Sequence, residues 1–282
     1  MEIESNKELC TLCTRCVRVC PATILELRES EIRATNIESC IKCGHCVAAC
    51  AHGAMIHSEF PPTKIHKINR ELLPTPEQVM ELIRSRRSNR AFSKRAISQE
   101  KLDLIAEAAY RAPTASNMQQ VAFTLITDPA KIRLITKFTM DTFGGILKLV
   151  ENPLLKPVLK LVMADVYRYV PAFKQMQDDY AAGSDKIMRG ATAVLLIHSP
   201  ARGRFGAEDA NLAYQNASLV AQAMDVTQFY TGFVLTATRQ RKGVLEKMLG
   251  IDGRIWAGMA LAEPAFAMEN YVDRKDISLA VI

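Results

Sequence analysis

Cysteine placement is the loudest chemical signal in the chain. All 8 cysteines of the 282 residues lie between Cys10 and Cys50. They repeat one spacing: Cys10-x2-Cys13-x2-Cys16-x3-Cys20, then Pro21, and Cys40-x2-Cys43-x2-Cys46-x3-Cys50, then Ala51. Soft thiolates at this spacing suit iron held in a sulfide cluster. Three of each four wrap one cluster corner, and the fourth reaches the neighbouring cluster. Cys10, Cys13, Cys16 and Cys50 are therefore expected on one 4Fe–4S cluster, and Cys40, Cys43, Cys46 and Cys20 on the other. A pair of structural zincs is the competing assignment. Zinc sites, however, usually use two separated CxxC knuckles without a third cysteine one step further on. His45 and His52 flank the ligands and read as surface or supporting groups, because the thiolate set is already complete.

A second concentration of chemistry is cationic. Residues 84–95, Arg-Ser-Arg-Arg-Ser-Asn-Arg-Ala-Phe-Ser-Lys-Arg, carry six basic side chains and no acid. Guanidinium forks beside a serine hydroxyl suit one phosphate monoester held at fixed geometry. The plainer reading is a solvated basic helix end, or a weak nucleic-acid patch without aromatic interleaving. Neither a GxGxxG nor a GxxxxGKS phosphate loop follows, and no Ser/His/Asp signature appears. Arg202-Gly203-Arg204-Phe205-Gly206 reads as a turn before a helix rather than an anion nest.

These groups need elements to position them. Residues 1–60 are too short and cysteine-dense to fold on an apolar core alone, so metal is expected to organise them. Two proline clusters, Pro61-Pro62 and Pro74-Thr75-Pro76, bound an extended linker over 61–75. Beyond it, helix and strand patterns mix. Thr75, with Pro76 and Gln78, predicts a capped helix, and Ser98 predicts another running to Ala109. Strands are expected at 121–127, 191–198, 255–261 and 277–282, and helices after Asp128-Pro129 and over 207–224 and 242–249. Residues 137–185 read as a helical insert with Pro153, Pro157 and Pro171. Lys148, Lys156 and Lys160 among its leucines and valines would suit a membrane surface, but the prolines favour a helical cap over a pocket. No run approaches the ~18 apolar residues of a membrane span. The acidic start and the absence of a leader pattern predict a cytoplasmic protein without stable membrane insertion. A net charge of +6, with 36 basic and 30 acidic residues interleaved, does not call for nucleic acid.

Two resemblances gather these observations. The cysteine segment resembles a bacterial two-cluster ferredoxin, with Ala51 where proline is usual. Residues 76–282, the insert apart, resemble the nitroreductase family of flavin enzymes. The likeness rests on Arg86-Arg87-Ser88-Asn89-Arg90-Ala91-Phe92 and on Ala112-Pro113-Thr114-Ala115-Ser116-Asn117-Met118-Gln119. Weaker matches are Gln215-Asn216, Tyr230-Thr231-Gly232 and Arg274-Lys275. Gln120-Val121 departs from the usual Pro-Trp, and Asp225 and Thr227 stand where glycines are common. The resemblance implies an α+β chain: a small ferredoxin-like domain fused to an α/β/α sandwich that binds FMN as a homodimer. It would place Arg86, Ser88, Arg274 and Lys275 at the flavin phosphate. Arg87 and Arg90 would lie near the ribityl chain and pyrimidine edge, and Asn117 and Gln119 on the ribityl or ring edge. Pro113 and Thr114 would come from the partner subunit, and the backbone of Thr231 and Gly232 would approach N5 and O4.

The expected activity is an oxidoreductase passing electrons between two 4Fe–4S clusters and FMN to reduce a nitroaromatic, quinone or activated alkene. The donor would be a redox protein such as ferredoxin, or NAD(P)H. Two alternatives stay open: NAD(P)H oxidation with electrons leaving through the clusters to ferredoxin, and a carrier or sensor without catalysis. No side chain is nominated as catalytic. Tyr167, Tyr169 and Tyr180 are the nearest to proton-donor guesses.

Overall fold

A computed structural model describes residues 1–162 and 164–282. The chain divides into two compact units, Met1–Pro74 with Ala115–Gln119, and Thr75–Thr114 with Gln120–Ile282.

In the first unit, β1 (Ile3–Ser5) pairs antiparallel with β4 (Met55–His57), and β2 (Leu25–Arg28) with β3 (Glu31–Ala34). Two short helices, α1 (Arg15–Val19) and α2 (His45–Ala48), follow the cysteine loops. Glu29 and Ser30 link β2 to β3 with φ of 46° and 63°. Two left-handed residues give the hairpin turn whose hand matches strand twist. The unit's apolar core is small among the described residues: Ile3, Ile24, Leu25, Ile32, Val47 and Met55 gather around Cys16, with Val17, Ile37 and Phe60 packed against them.

The duplicated sequence gives a duplicated backbone. Left-handed residues recur thirty positions apart: Leu12 and Lys42 (55° and 51°), Thr14 and Gly44 (58° and 72°), Thr23 and Gly53 (50° and 64°). Left-handed turns interspersed in a loop fold its N–H groups inward, the geometry of an anion-binding nest. Gly44 is doubly required, since a Cβ there would also press on the Phe60 ring at 3.2 Å.

The second unit is an antiparallel sheet in the order β5 (Ala122–Ile126), β6 (Ala193–Ser199), β8 (Arg254–Ala262), β7 (Thr227–Tyr230). Every residue of β6 is buried, as a central strand covered on both faces requires. Alternate residues serve opposite cores. Ala193, Leu195, Ile197, Ala257, Met259 and Leu261 meet α4 (Gln99–Tyr110) and α8 (Gly206–Ala223). Val194, Leu196, Ile255 and Ala260 meet α5 (Pro129–Val150), α9 (Gly232–Gln240) and α10 (Val244–Leu249). The α+β class and helix–sheet–helix layering expected from the resemblance are thus present. α3 (Pro76–Ser85), α6 (Lys156–Val162) and α7 (Ala164–Ala181) complete the helices.

Helix starts follow the predicted caps. Thr75 Oγ1 accepts from the Gln78 N–H while Gln78 Oε1 accepts from the Thr75 N–H. Ser98 Oγ accepts from Lys101 N–H, and Asp128 Oδ1 from Ala130 N–H.

Structure and expectation differ at two places. No break marks residue 137: α5 runs through it for 22 residues because Ile132, Ile135, Phe138, Phe143, Leu147 and Val150 make one buried stripe. Residues 277–282, expected as a strand added to a partner subunit's sheet, are irregular and exposed in the single chain, with Ile277 at 90% and Val281 at 91% accessibility. No described strand of the chain pairs with them, and an unpaired strand cannot satisfy its backbone. Two further elements, β7 and α9, were not expected at all.

Candidate functional site

In the first unit the fold sorts eight thiols into two sets. Cys10, Cys13, Cys16 and Cys50 line one small cavity, with Ile32, Ala54 and Met55 among its walls. Cys20, Cys40, Cys43 and Cys46 line the other, with Ile3, Ile24, Leu25 and His57. Each set takes three thiols from one half of the repeat and one from the other, the grouping expected for crossed ligation. Amide N–H groups already point at the sulfurs: Ala54 donates to Cys50 Sγ at 3.1 Å and Lys42 to Cys40 Sγ at 3.4 Å. Burial pushes the Cys46 thiol up to about 11, and the neighbouring Cys43, Cys40 and Cys20 add repulsion. Burial likewise raises Cys16. A buried thiol held among others resists ionising without a cation nearby, so the donor set fits a positively charged iron centre.

His57 is a residue that spacing alone did not single out. It lies on β4, seven positions beyond Cys50, and is 2% exposed. Its Nδ1 accepts from the Glu59 N–H at 3.2 Å, and its Nε2 sits 3.6 Å from Cys40 Sγ. Phe60 packs edge-on at 4.9 Å, and burial lowers the imidazole from its ordinary value. The strand register that places Ile3 opposite His57 was the missing information. His45 and His52, singled out from sequence, are exposed.

In the second unit, the loop after α3 is tied to the end of β8. Phe92 bridges Pro264, Ser93 N–H donates to Glu263 O, and Ala265 N–H donates to Ala91 O. Asn89 is buried and accepts from Ala91 N–H through Oδ1. Phe92 stacks on Phe229 at 5.4 Å, and the Arg90 guanidinium lies 5.5 Å above the same Phe229 ring. Arg90 then opens into a cleft of about 730 Å³ with Thr231 and Gly232, two more of the expected residues. Lys186, Arg189 and Phe233 complete its cationic and aromatic character. Lys186 and Arg189 were not expected. Their one sequence hint is the Arg189-Gly190 turn, left-handed at both residues.

Thr231 lines the cleft but turns its hydroxyl towards Gly258 in the sheet. It is 3% exposed, and its Oγ1 has no hydrogen-bond partner among the described residues. Its N–H is used by Gly258 O at 2.9 Å, and Gly258 must lack a Cβ because one would overlap Thr231 Oγ1. A buried hydroxyl without a partner costs about 1–3 kcal/mol. At Gly232 a Cβ would meet only the Tyr230 ring at 4.0 Å, leaving the backbone at the start of α9 open to a flat ligand.

The remaining expected residues are distributed otherwise. Arg86 is half-buried at the end of α3 and lies close enough to Tyr214 to act on it electrostatically. Arg87 lines a different cleft, with Glu81, Asp225 and Tyr271. Ser88, Pro113, Arg274 and Lys275 are exposed, while Thr114 is half-buried. Asn117 and Gln119 belong to the first unit, where Asn117 Nδ2 donates to Ile41 O at 3.1 Å and Lys42 O at 2.8 Å. Tyr167 donates to Val150 O at 2.6 Å, a packing role rather than a proton donor's.

A layered helix–sheet–helix unit with a cationic, aromatic-walled cleft, in one chain with paired thiol cavities, defines an oxidoreductase with an iron–sulfur domain. Comparison with protein families agrees. Residues 83–262 match the nitroreductase family, and residues 2–51 match the 4Fe-4S dicluster domain. The first match spans most of the chain, which belongs to the nitroreductase family. Among solved structures, the chain is similar in fold to a nitroreductase with bound FMN from Desulfitobacterium hafniense, at 18% identity and TM-score 0.57 over 73% of this chain and 98% of that one. It is also similar to a nitroreductase with bound FMN from Bacteroides fragilis, at 16% and 0.52 over 72% and 99%. An FMN-dependent nitroreductase from Clostridium difficile matches at 18% and 0.52 over 74% and 100%. No curated protein matches the chain. No described helix is long and apolar enough to cross a membrane.

Proposed function

We propose that this chain is an FMN-dependent oxidoreductase of small electrophiles (nitroaromatics, quinones or activated alkenes), supplied with electrons through two 4Fe–4S clusters. The observation that carries the reading is the sorting of eight cysteines into two four-thiol cavities, in a chain whose other unit has the nitroreductase fold. FMN in the similar structures supports the choice of flavin. Bound flavin would trade electrons singly or in pairs, and iron–sulfur clusters trade them one at a time.

The residues of the cleft fit that flavin. The open backbone at Gly232 would let the ring approach, with N5 and O4 near the backbone of Thr231 and Gly232. Arg90, Lys186 and Arg189 would offset negative charge on a reduced ring in a partly desolvated cleft. Arg86, Ser88, Arg274 and Lys275 would hold the phosphate end, and Arg87 the ribityl side. Pro113 and Thr114 of the partner subunit would complete the site in a homodimer. The donor would be reduced ferredoxin or NAD(P)H, and the protein would work in the cytoplasm.

Anaerobic purification tests the reading directly. The expected material is brown, with about eight irons per chain and bound FMN. Reduced ferredoxin or NADPH should bleach the flavin, and nitrofuran or quinone should restore it. Colourless, zinc-loaded protein without nucleotide would overturn the assignment, as would flavin that neither donor bleaches.

A further inference from the structure

We infer that the His57 imidazole makes the two clusters unequal: its Nε2–H donates to Cys40 Sγ and raises the reduction potential of the cluster held by Cys20, Cys40, Cys43 and Cys46. The inference rests on the two-cluster reading above. His57 is a positioning residue, acting on the cluster through a ligand sulfur.

Three observations combine. First, the protein fixes the tautomer. The Glu59 N–H points at Nδ1 from 3.2 Å, so Nδ1 must present its lone pair and the ring proton belongs on Nε2. Second, Nε2 lies 3.6 Å from Cys40 Sγ, within the longer range of bonds to sulfur, and the ring is 2% exposed. β4 pairing and the edge contact with Phe60 hold it there. Third, the arrangement is one-sided. Each cavity has backbone N–H groups on its sulfurs, Ala54 to Cys50 and Arg15 to Cys13 in the first, Lys42 to Cys40 and Val47 to Cys46 in the second; the first adds the Thr11 hydroxyl on Cys13, where both residues are exposed and water screens the bond. Among the described residues, an imidazole stands within hydrogen-bonding distance of a ligand sulfur only in the second cavity; His52, which lines the first, is exposed and makes no such contact. Thirty positions before His57, the repeat has Leu27, which has no donor to offer.

Charge gives the sign. Each cluster gains one electron and one unit of negative charge on reduction, spread partly onto its sulfurs. An N–H dipole aimed at a sulfur stabilises the reduced form more than the oxidised form, and hydrogen bonds to the sulfurs are among the terms that set cluster potentials. No proton need move. A first electron from dithionite would therefore rest on the cluster bound by Cys40.

The test is an EPR-monitored dithionite titration of the intact holoprotein, wild type against His57→Leu and His57→Gln, with iron and sulfide measured on every sample. Wild type should show two separated midpoints. His57→Leu should lower the upper one alone, shifting the equilibrium for one electron between clusters at least ten-fold, about 59 mV. His57→Gln, which keeps an N–H donor, should recover part of that shift. Pulsed EPR on singly reduced wild type, with 15N-labelled histidine, should show one nitrogen coupled to the reduced cluster; this needs no variant to fold. Unmoved midpoints, an equal shift of both, or no histidine coupling would overturn the inference. A wild-type iron content well below eight per chain would instead overturn the two-cluster reading beneath it.

Discussion

Crossed ligation can be tested by pairing cysteine losses. Cys20 follows Cys16 by four residues, yet it lines the cavity of Cys40, Cys43 and Cys46. Consider alanine at Cys20 with alanine at either Cys13 or Cys43. With four irons per cluster, wild type should hold about eight per chain. Cys20→Ala with Cys43→Ala removes two thiols from one cavity and leaves the Cys10, Cys13, Cys16 and Cys50 set whole, so about four irons should remain. Cys20→Ala with Cys13→Ala breaks both cavities, and the content should approach zero. Each single variant should retain about four. The assay is iron and sulfide content after anaerobic reconstitution, with EPR of the reduced protein to count surviving clusters. If each cysteine run instead held its own cluster, the two double variants would exchange results. About four irons in the Cys13/Cys20 variant beside none in the Cys20/Cys43 variant would refute the assignment.

Gly206→Ala should destabilise the second unit by about 1–3 kcal/mol, because the new Cβ would crowd Ser199 Oγ and Trp256 Nε1 and disrupt their 2.9 Å hydrogen bond. Trp256 is the one tryptophan, so urea unfolding followed by its fluorescence reads the change directly. Tyr214 is pushed up to about 12, chiefly by burial, while it donates to Gln228 Oε1. A phenol with a raised folded value stabilises fully below its unfolded value near 10 and loses that contribution as pH rises towards 12. Tyr214→Phe should therefore show a shallower fall in stability between pH 10 and 12 than wild type, by denaturant midpoint; identical slopes would count against the burial argument. Replacing Lys186 and Arg189 together by glutamine should weaken FMN binding at least ten-fold, if each charge-assisted bond contributes about 1.5–3 kcal/mol, as measured by flavin fluorescence on release. Unchanged affinity would remove them from the cofactor cleft.

Local signals in the sequence were read well where they have local causes. Thr75, Ser98 and Asp128 each cap the helix that follows, because a cap is decided within three residues. Asp225, noted as standing where glycine is common, does adopt a left-handed φ of 55°. The dicluster domain is legible because its cysteine spacing is its signature. What stayed hidden depends on distant packing. α9 starts at Thr231 without a side-chain cap and is rich in β-branched residues, so it announces no beginning; its Val234, Leu235 and Ala237 are instead held in the core with α5. β7 is four residues long and identifiable only by its pairing with β8. Lys186 and Arg189 reach the cleft from beyond α7, and His57 reaches Cys40 through strand register, neither of which spacing along the chain records.

The exchange of one thiol between halves also governs how the first unit breaks. Neither half of the repeat can close a cavity by itself, so the two cofactors would clasp the halves together at two points, over an apolar nucleus of a few side chains. Oxidative loss of one cofactor would then loosen one clasp on both halves at once, and damage begun at one cavity would expose the other. One surviving cofactor would still tie the two halves together.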